Sequence, residues 1–249
     1  MDRIENATVA EIAAHSLAAV RVFEKYGLDY CCGGTRPLAE ACSQKGHDAA
    51  AVKEELEAAL SETPAADDDW SASPLRRLCD HIEAAHHGYL RRELPAIQTR
   101  LDRVYSLYNQ RYGPTLIGLP EAYAELRQEL EPHMRKEEVV LFPAIRAIEE
   151  AMEAHRPPPR LIFGSVANPI HLMEAEHDHA GTALQKIREI TDNFDIPLHA
   201  CVTYRALMTG LSELETDLHL HIHLENNILF PRAARMETTL RQESAAWRT

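Results

Sequence analysis

The sequence has few aromatic residues, no long apolar run and no excess of positive charge. Aromatic residues make up 6% of the 249 residues, while Ala, Leu, Glu and Arg are abundant, which favours helices. The formal net charge of −13 and the lack of a basic run argue against non-specific nucleic-acid binding. No apolar stretch approaches the length of a membrane span, so we expect no contact with a membrane.

Cysteine is also sparse, and the sequence shows no targeting signal. Five cysteines, an odd number without the spacing of a disulfide scaffold, are typical of a reducing compartment. The segment 1–6 lacks the basic and then apolar layout of a signal peptide. We therefore expect a cytoplasmic protein, long enough to hold one or two domains with a substantial core.

Two copies of a His-x-x-x-Glu motif are present, each followed after three residues by Leu-Phe-Pro. The first copy carries His133 and Glu137, and the second carries His221 and Glu225. Residues four apart on a helix share a face, so each copy offers an imidazole and a carboxylate to one point in space. A single copy is often a polar pair in a core or a chance match. Two copies with the same tail predict two halves of one metal site.

Apolar residues around both copies recur every three or four positions, the pattern of a helix packed in a bundle. The pattern runs through both motifs, so their His and Glu occupy core positions, where they are costly unless bonded, paired or bound to a metal. His87 and His177 lie at similar distances upstream of the two copies, each on a further apolar stripe. The chain therefore reads as two helix pairs, each supplying one His and then one His-x-x-x-Glu.

The candidate metal ligands are four imidazoles and two carboxylates. They are His87, His133, Glu137, His177, His221 and Glu225. This set is too large for one tetrahedral zinc ion and too rich in nitrogen for calcium or magnesium, but it suits iron. The simplest allotment is two non-haem iron ions, each with two His, bridged by both Glu. An oxo or hydroxo bridge would give each iron five ligands, leaving one position for O2 or NO.

Other residues compete with these ligands. His86 and, less strongly, His81 are rivals of His87. Glu83-x-x-His86 and Glu174-x-x-His177 resemble ferritin-like sites, but the other two helices bring His-x-x-x-Glu where such a site needs one further Glu each. Four further bundle histidines read as solvated or as outer neighbours of the ligands; they are His171, His179, His219 and His223.

Caps and prolines predict a small helical N-terminal domain. A capping box at Thr8–Glu11 predicts a helix from Val9 to Lys25 that stops near Gly27, followed by helices at 37–45 and 48–60. This domain spans 1–62, and an acidic linker spans 63–72.

The remaining residues, 73–249, predict four long helices in an up-down-up-down bundle. These helices open at Ser73-Pro74, Pro120, Asn168-Pro169 and Asp195-Ile196-Pro197. We expect the fourth to end at its Leu-Phe-Pro and fray into a polar tail. The proline-rich stretch 156–160 cannot be regular helix and predicts a surface loop between the two helix pairs.

Cys31 and Cys32 are adjacent and are followed by Gly33-Gly34. Buried cysteines are commonly just packing residues, but two glycines free the backbone and favour exposure of the pair. An exposed thiol pair in a reducing compartment is typical of a redox-active site or a transient metal ligand. Cys42, Cys79 and Cys201 read as ordinary small core residues.

Taken together, these motifs resemble the iron–sulfur cluster repair proteins (Repair of Iron Centres), di-iron proteins with a hemerythrin-like bundle. The segment 29–34 is similar to the signature of the family's N-terminal domain, and 133–143, 174–178 and 221–231 are similar to its bundle motifs. The resemblance implies His87 rather than His86 as the ligand. It also implies extra acids near the metals at Glu129 and Glu176. Two departures are Pro132, which directly precedes a ligand, and the insertion around 156–160.

The resemblance further implies a function in restoring iron–sulfur clusters damaged by nitric oxide or oxidants. Its expected partners are damaged iron–sulfur proteins and the diatomics NO and O2, with a homodimer as a candidate assembly. Iron donation without catalysis and a nitric oxide reductase-type activity both remain open. A reversible O2 or NO binding or sensing protein without repair activity is the alternative, and a purely structural bundle is the plainest one.

Overall fold

The computed structural model describes residues 4, 7–14, 16–31, 33–62, 70–108 and 116–246. Within these ranges the secondary structure is helical, and the β pairing is confined to an isolated bridge between Thr8 and Pro37. The predicted all-α fold is confirmed. No helix in this part of the chain is both long and apolar enough to cross a membrane.

Within the described part of residues 1–62, four short helices are present: α1 (Val9–Ala14), α2 (Leu17–Tyr26), α3 (Leu38–Lys45) and α4 (Ala49–Glu62). The capping box is present, since Thr8 N donates to Glu11 Oε2 at 2.8 Å and Glu11 N donates to Thr8 Oγ1 at 3.2 Å. The single helix predicted over Val9–Lys25 is wrong. Ser16 has extended backbone angles and its hydroxyl accepts from Ala18 N, so it caps a new helix.

The chain separates into two compact units, residues 1–80 with 144–168 and 219–249, and residues 81–143 with 169–218. In the first unit, the N-terminal helices share one apolar core. Its fully buried members include Val9, Phe23, Cys42, Val52 and Leu56. The domain boundary at 63–72 remains a prediction, and residues 63–69 of it lie outside the described ranges.

Among the described residues, the long helices contain three π-helical turns. In chain order the α-segments are α5 (Leu75–His81), α6 (Gly88–Tyr108), α7 (Leu119–Lys136), α8 (Phe142–Glu153), α9 (Ala167–Ile190), α10 (Val202–His223) and α11 (Phe230–Ala246). The π turns Ile82–His87, Glu137–Leu141 and Leu224–Leu229 join α5 to α6, α7 to α8 and α10 to α11. Such turns are rare and occur frequently at functional sites.

In the second unit, four helices surround one apolar core, as predicted for the up-down-up-down bundle. Each of α6, α7, α9 and α10 contributes fully or almost fully buried residues, among them Ile97, Leu126, Leu184 and Leu211. The phenol of Tyr123 donates to Leu94 O at 2.8 Å, which satisfies the one polar atom of a fully buried ring.

Both predicted ends of the fourth long helix are wrong. It begins at Val202, after a turn in which Ala200 N donates to Pro197 O at 2.8 Å, and Asp192, Asn193 and Phe194 before that turn adopt left-handed backbone angles (φ 49, 58 and 60°). It also continues past Leu-Phe-Pro to Ala246. Pro231, like Pro143, is the second residue of an α-segment that directly follows a π turn, where the lack of an N–H is tolerated.

Candidate metal centre

Glu137 lies between two imidazoles in the second compact unit. Its Oε2 is 3.3 Å from His87 Nε2 and its Oε1 is 3.2 Å from His133 Nε2. His177 Nε2 in turn lies 3.1 Å from His133 Nε2. His87 and Glu137 are fully buried, and the other two are nearly so. Three long helical segments therefore bring their nitrogen and oxygen donors to one place.

The second His-x-x-x-Glu copy repeats this local arrangement on α10 and the turn that follows it. His221 Nε2 is 3.3 Å from Glu225 Oε1, and both side chains are buried. As in the first copy, the glutamate belongs to a π turn and the histidine to the α-helix that precedes it. The spacing of four residues keeps both donors on one face, as the sequence predicted.

Two groups of four side chains have ligand atoms that all lie within 4.8 Å of one another. One group is His87, Glu137, His221 and Glu225, and the other is His133, Glu137, His177 and Glu225. Each group has two imidazoles, and both carboxylates belong to both groups. Each of the six residues predicted from the sequence belongs to at least one of these groups, and each group could hold a cation.

Two further carboxylates orient the imidazoles from outside. His87 Nδ1 lies 2.7 Å from Glu138 Oε1, and His133 Nδ1 lies 2.9 Å from Glu176 Oε2. A histidine that donates its Nδ1 proton to a carboxylate keeps a lone pair on Nε2, which is the atom a metal needs. Both rings therefore present Nε2 to the donor cluster.

Surface cations hold these two carboxylates in their charged form. The pKa of Glu176 is lowered to about 2, chiefly by the hydrogen bond from His133 and, against the effect of burial, by Lys136, whose ammonium contacts its other oxygen. Burial alone would raise the pKa of Glu138, but hydrogen bonds from Arg91 and His87 outweigh it and lower the pKa. Arg91 reaches both Glu138 oxygens at 2.6 Å.

The structure distinguishes His86 from the candidate ligands, and it places the two predicted outer acids in different surroundings. His86 is buried, but it belongs to neither donor group, and its Nδ1 lies 3.0 Å from Asp217 Oδ1. Glu176 contacts a candidate ligand, whereas Glu129 is half-buried and makes no hydrogen bond or ion pair within the described residues. Glu138 was missed by the sequence analysis, although the doubled Glu137-Glu138 was an available signal.

In the loop of residues 29–34 (the Cys31 loop), the prediction of an exposed thiol is wrong for Cys31. Cys31 is only 7% exposed, and Cys32 lies outside the described residues. The carboxylate of Asp29 accepts from Cys31 N at 3.0 Å and Gly33 N at 2.9 Å, and it lies 3.4 Å from Cys31 Sγ. The loop is thus folded back onto its own first residue.

The two glycines are needed for close approach rather than for exposure. A Cβ on Gly33 would lie 2.7 Å from Asp29 Oδ2, and one on Gly34 would lie 2.7 Å from Tyr30 O and 2.8 Å from Ala10 Cβ. His223, expected to be solvated or an outer neighbour of the ligands, is buried against this loop instead. Its Nδ1 lies 3.2 Å from Tyr30 O, and burial lowers its pKa to about 4.

Comparison with known proteins gives matches over most of the chain. Residues 80–233 match the hemerythrin HHE cation binding domain, and residues 5–60 match a domain of unknown function, DUF542. The chain is 39% identical over 225 residues to the iron-sulfur cluster repair protein YtfE of Cronobacter sakazakii, covering 90% of this chain and 95% of the relative. It is 40% identical over 229 residues to the proteins of that name from Citrobacter koseri and Escherichia coli O81, with the same coverage.

Proposed function

Since this chain belongs to the family of hemerythrin-like iron-sulfur cluster repair proteins, we propose that it is a di-iron protein that repairs iron–sulfur clusters damaged by nitrosative or oxidative stress. The observation that carries the proposal is the pair of donor groups, each with two imidazoles, that share both glutamates. Its proposed clients are damaged iron–sulfur proteins, and NO and O2 are its proposed small ligands.

The chemistry of the donor set supports iron at this place. Glu137 and Glu225 are fully buried, and two ionised carboxylates in such surroundings are strongly unfavourable unless cations neutralise them. Imidazole and carboxylate together suit iron better than calcium, magnesium or structural zinc. We assign one iron to His87 and His221 and the other to His133 and His177, with both glutamates bridging.

Iron held there would supply a redox-active Lewis acid that binds small diatomic molecules, and it would also be the cargo for a depleted cluster. The protein's own residues prepare the donors for this. Glu138 and Glu176 hold the protons of His87 and His133 at Nδ1. Phe142 stacks on the ring of His87 with centroids 5.9 Å apart and keeps water from that side.

We propose a transfer or redox role for the thiols of Cys31 and Cys32. The burial of Cys31 means that this role requires the loop to open, since a thiolate must be reached to react or to bind a metal. Donation of iron and reduction of NO are the two routes by which the centre would act in repair.

Reactivation of an NO-damaged [4Fe–4S] enzyme by the iron-loaded protein tests the proposal. The double variant His221→Ala/Glu225→Ala should lose both iron and reactivation. The matched control His171→Ala changes an exposed histidine that belongs to neither donor group, so it should keep both. If the double variant reactivates the client as well as wild type does, the centre has no part in repair.

A second measurement separates repair from reversible ligand binding. If the protein is only a carrier or sensor, O2 or NO spectra should be fully reversible, with no net loss of iron to a client. The variant Cys31→Ala/Cys32→Ala should reactivate the client more slowly if the thiols take part. Equal rates would remove the thiols from the mechanism.

A further inference from the structure

The turn that carries Glu225 also binds the backbone of the Cys31 loop. Asn227 Nδ2 lies 3.2 Å from Tyr30 O and 3.4 Å from Cys31 O. His223 Nδ1 lies 3.2 Å from the same Tyr30 O and 3.0 Å from Asn227 Nδ2. The rings of Tyr30 and His223 also meet edge to face, with centroids 5.5 Å apart. Two side chains of one helix thus contact two consecutive carbonyl groups of the loop.

Asn227 can donate to the loop whichever ring nitrogen of His223 carries the proton. With the proton on Nδ1, His223 donates to Tyr30 O and both amide hydrogens of Asn227 are available for the two carbonyls. With the proton on Nε2, Asn227 donates one hydrogen to Nδ1 and the other to the loop. The contact of Asn227 with the loop is therefore the constant part of this arrangement.

The donors to the metal and the donors to the loop occupy opposite sides of the same helical turn. His221 and Glu225 are four residues apart, as are His223 and Asn227, so each pair shares a face. Residues two apart on a helix are separated by about 200°, which places the two faces back to back. A change in the position of Glu225 must therefore move Asn227, because both belong to the π turn Leu224–Leu229.

Hydrogen bonds hold the described residues of the loop in place, so they would transmit such a movement. Asp29 closes it through Cys31 N and Gly33 N, and Ala10 N donates to Gly34 O at 2.8 Å. The phenol of Tyr30 is held by Glu24 Oε1 at 3.0 Å. The described part of the loop is thus held at Asp29, Tyr30 and Gly34, and Asn227 contacts the carbonyl of Cys31 itself.

We propose that Asn227 is a positioning residue that links the occupancy of the metal donors to the accessibility of the Cys31 thiol. Iron bound to Glu225 and His221 stiffens the turn and holds the loop closed through Asn227, and loss of iron loosens both. The inference rests on the proposed function, because it presumes that iron occupies the donor groups. It gives the cysteine loop a way to respond to the state of the centre.

The test is the rate at which iodoacetamide labels Cys31 in the full-length protein, measured by peptide mass spectrometry on iron-loaded and chelator-treated samples. In wild type, iron should slow the labelling of Cys31. In Asn227→Ala, the iron-loaded protein should label about tenfold faster, the factor that corresponds to about 1.4 kcal/mol of lost loop stabilisation. Iron should no longer affect the rate in this variant.

Three controls keep the result specific. Gln242→Ala removes an exposed amide from α11 and should behave as wild type. Asn227→Asp keeps the size of the side chain but faces the two carbonyl groups with a carboxylate, so it should release the loop like Asn227→Ala. Cys42 is fully buried, and its labelling in the same digest reports any global unfolding.

The iron content of the labelled samples separates the two possible failures. Wild type that takes up no iron would contradict the proposed function and, with it, the link to the metal donors. Wild type that holds iron but labels at the same rate with and without it would overturn the link alone. Unchanged labelling in Asn227→Ala would show that Asn227 does not control the accessibility of Cys31. If that variant does not fold, the comparison of wild type with and without iron still tests the link.

Discussion

Glu138 and Glu176 show how single residues outside the donor groups prepare the imidazoles. Each accepts the Nδ1 proton of one candidate ligand and is itself neutralised by a surface cation, Arg91 or Lys136. Outer partners of this kind typically contribute 10- to 100-fold to metal affinity. We predict that Glu138→Ala and Glu176→Ala each weaken iron binding by roughly this factor, measured by competition with a chelator.

The matched control for this prediction is Glu131→Ala. Glu131 is an exposed glutamate on α7 that pairs with Arg127 and contacts neither donor group. It should leave iron affinity within experimental error of wild type. Loss of affinity in the control as large as in Glu138→Ala would mean that general charge, rather than the Nδ1 contacts, tunes the site.

Gly34 is a second residue with a specific role, because its neighbours leave no room for a side chain. A methyl group there would lie 2.7 Å from Tyr30 O and 2.8 Å from Ala10 Cβ, distances that real side chains do not show. We predict that Gly34→Ala lowers the free energy of unfolding by about 1–3 kcal/mol through overpacking, as measured by chemical denaturation. Gly88→Ala is the comparison, because Gly88 has helical angles and its nearest atom to a new Cβ is 3.8 Å away, so stability should stay equal or rise.

Pro132 allows a test of how much a proline inside a helix lowers the stability of the protein. It lies inside α7, one residue before His133, yet the helix continues through it and its side chain is exposed. Proline in a helix interior costs about 3 kcal/mol relative to alanine, partly offset by its rigidity in the unfolded chain. We predict that Pro132→Ala raises the free energy of unfolding by about 1–2 kcal/mol.

The same variant should leave the iron content unchanged, because Glu176 and the π turn that carries Glu137 position the ligands rather than the proline. Stability is measured by denaturant unfolding and iron by elemental analysis of the same preparation. A drop in iron content would show instead that the missing N–H helps to shape the site.

The six candidate ligands could be predicted because their positions are set by strong periodic signals. The apolar stripes place both His-x-x-x-Glu copies in the core, and the duplication removes most chance matches. The predicted end of the fourth helix at Leu-Phe-Pro was wrong. Proline usually ends a helix, but here it follows a π turn and the helix continues. A repeat of three or four residues does not distinguish a π turn from the α-helix around it, so these turns could not be predicted.

The loop around Cys31 shows another limit of sequence reasoning. Gly33-Gly34 indicates freedom of the backbone, but it does not tell whether that freedom serves exposure or close packing. The packing partners are Asp29, Ala10 and Asn227. Ala10 and Asn227 are distant from the loop in sequence, and Asp29 is a common residue type that does not by itself indicate this contact. Glu138 was missed for a related reason, since its Nδ1 contact depends on the approach of His87 from another helix.

At the scale of the whole molecule, the buried polar residues predict a protein whose stability depends on its metals. Four imidazoles and two carboxylates lie in the interior, where uncompensated charge is costly. Binding that is confined to the folded state adds about 2.7 kcal/mol of stability at a free metal concentration of 100 times Kd. We predict that removal of iron by a chelator lowers the Tm, and that adding ferrous iron back restores it.

The variant Glu137→Ala/Glu225→Ala provides the control for this effect. With both shared carboxylates gone, it should bind no iron, and its Tm should not respond to chelator or to ferrous iron. A Tm of wild type that is the same with and without iron would contradict the dependence.

We propose that six buried side chains hold a pair of iron ions. The iron content of wild type, after anaerobic loading with ferrous iron and removal of loosely bound metal, tests this most directly, together with Mössbauer spectra of the same oxidised sample. We predict two irons per chain that give the spectrum of a coupled pair. One iron per chain, none, or two uncoupled irons would contradict this prediction.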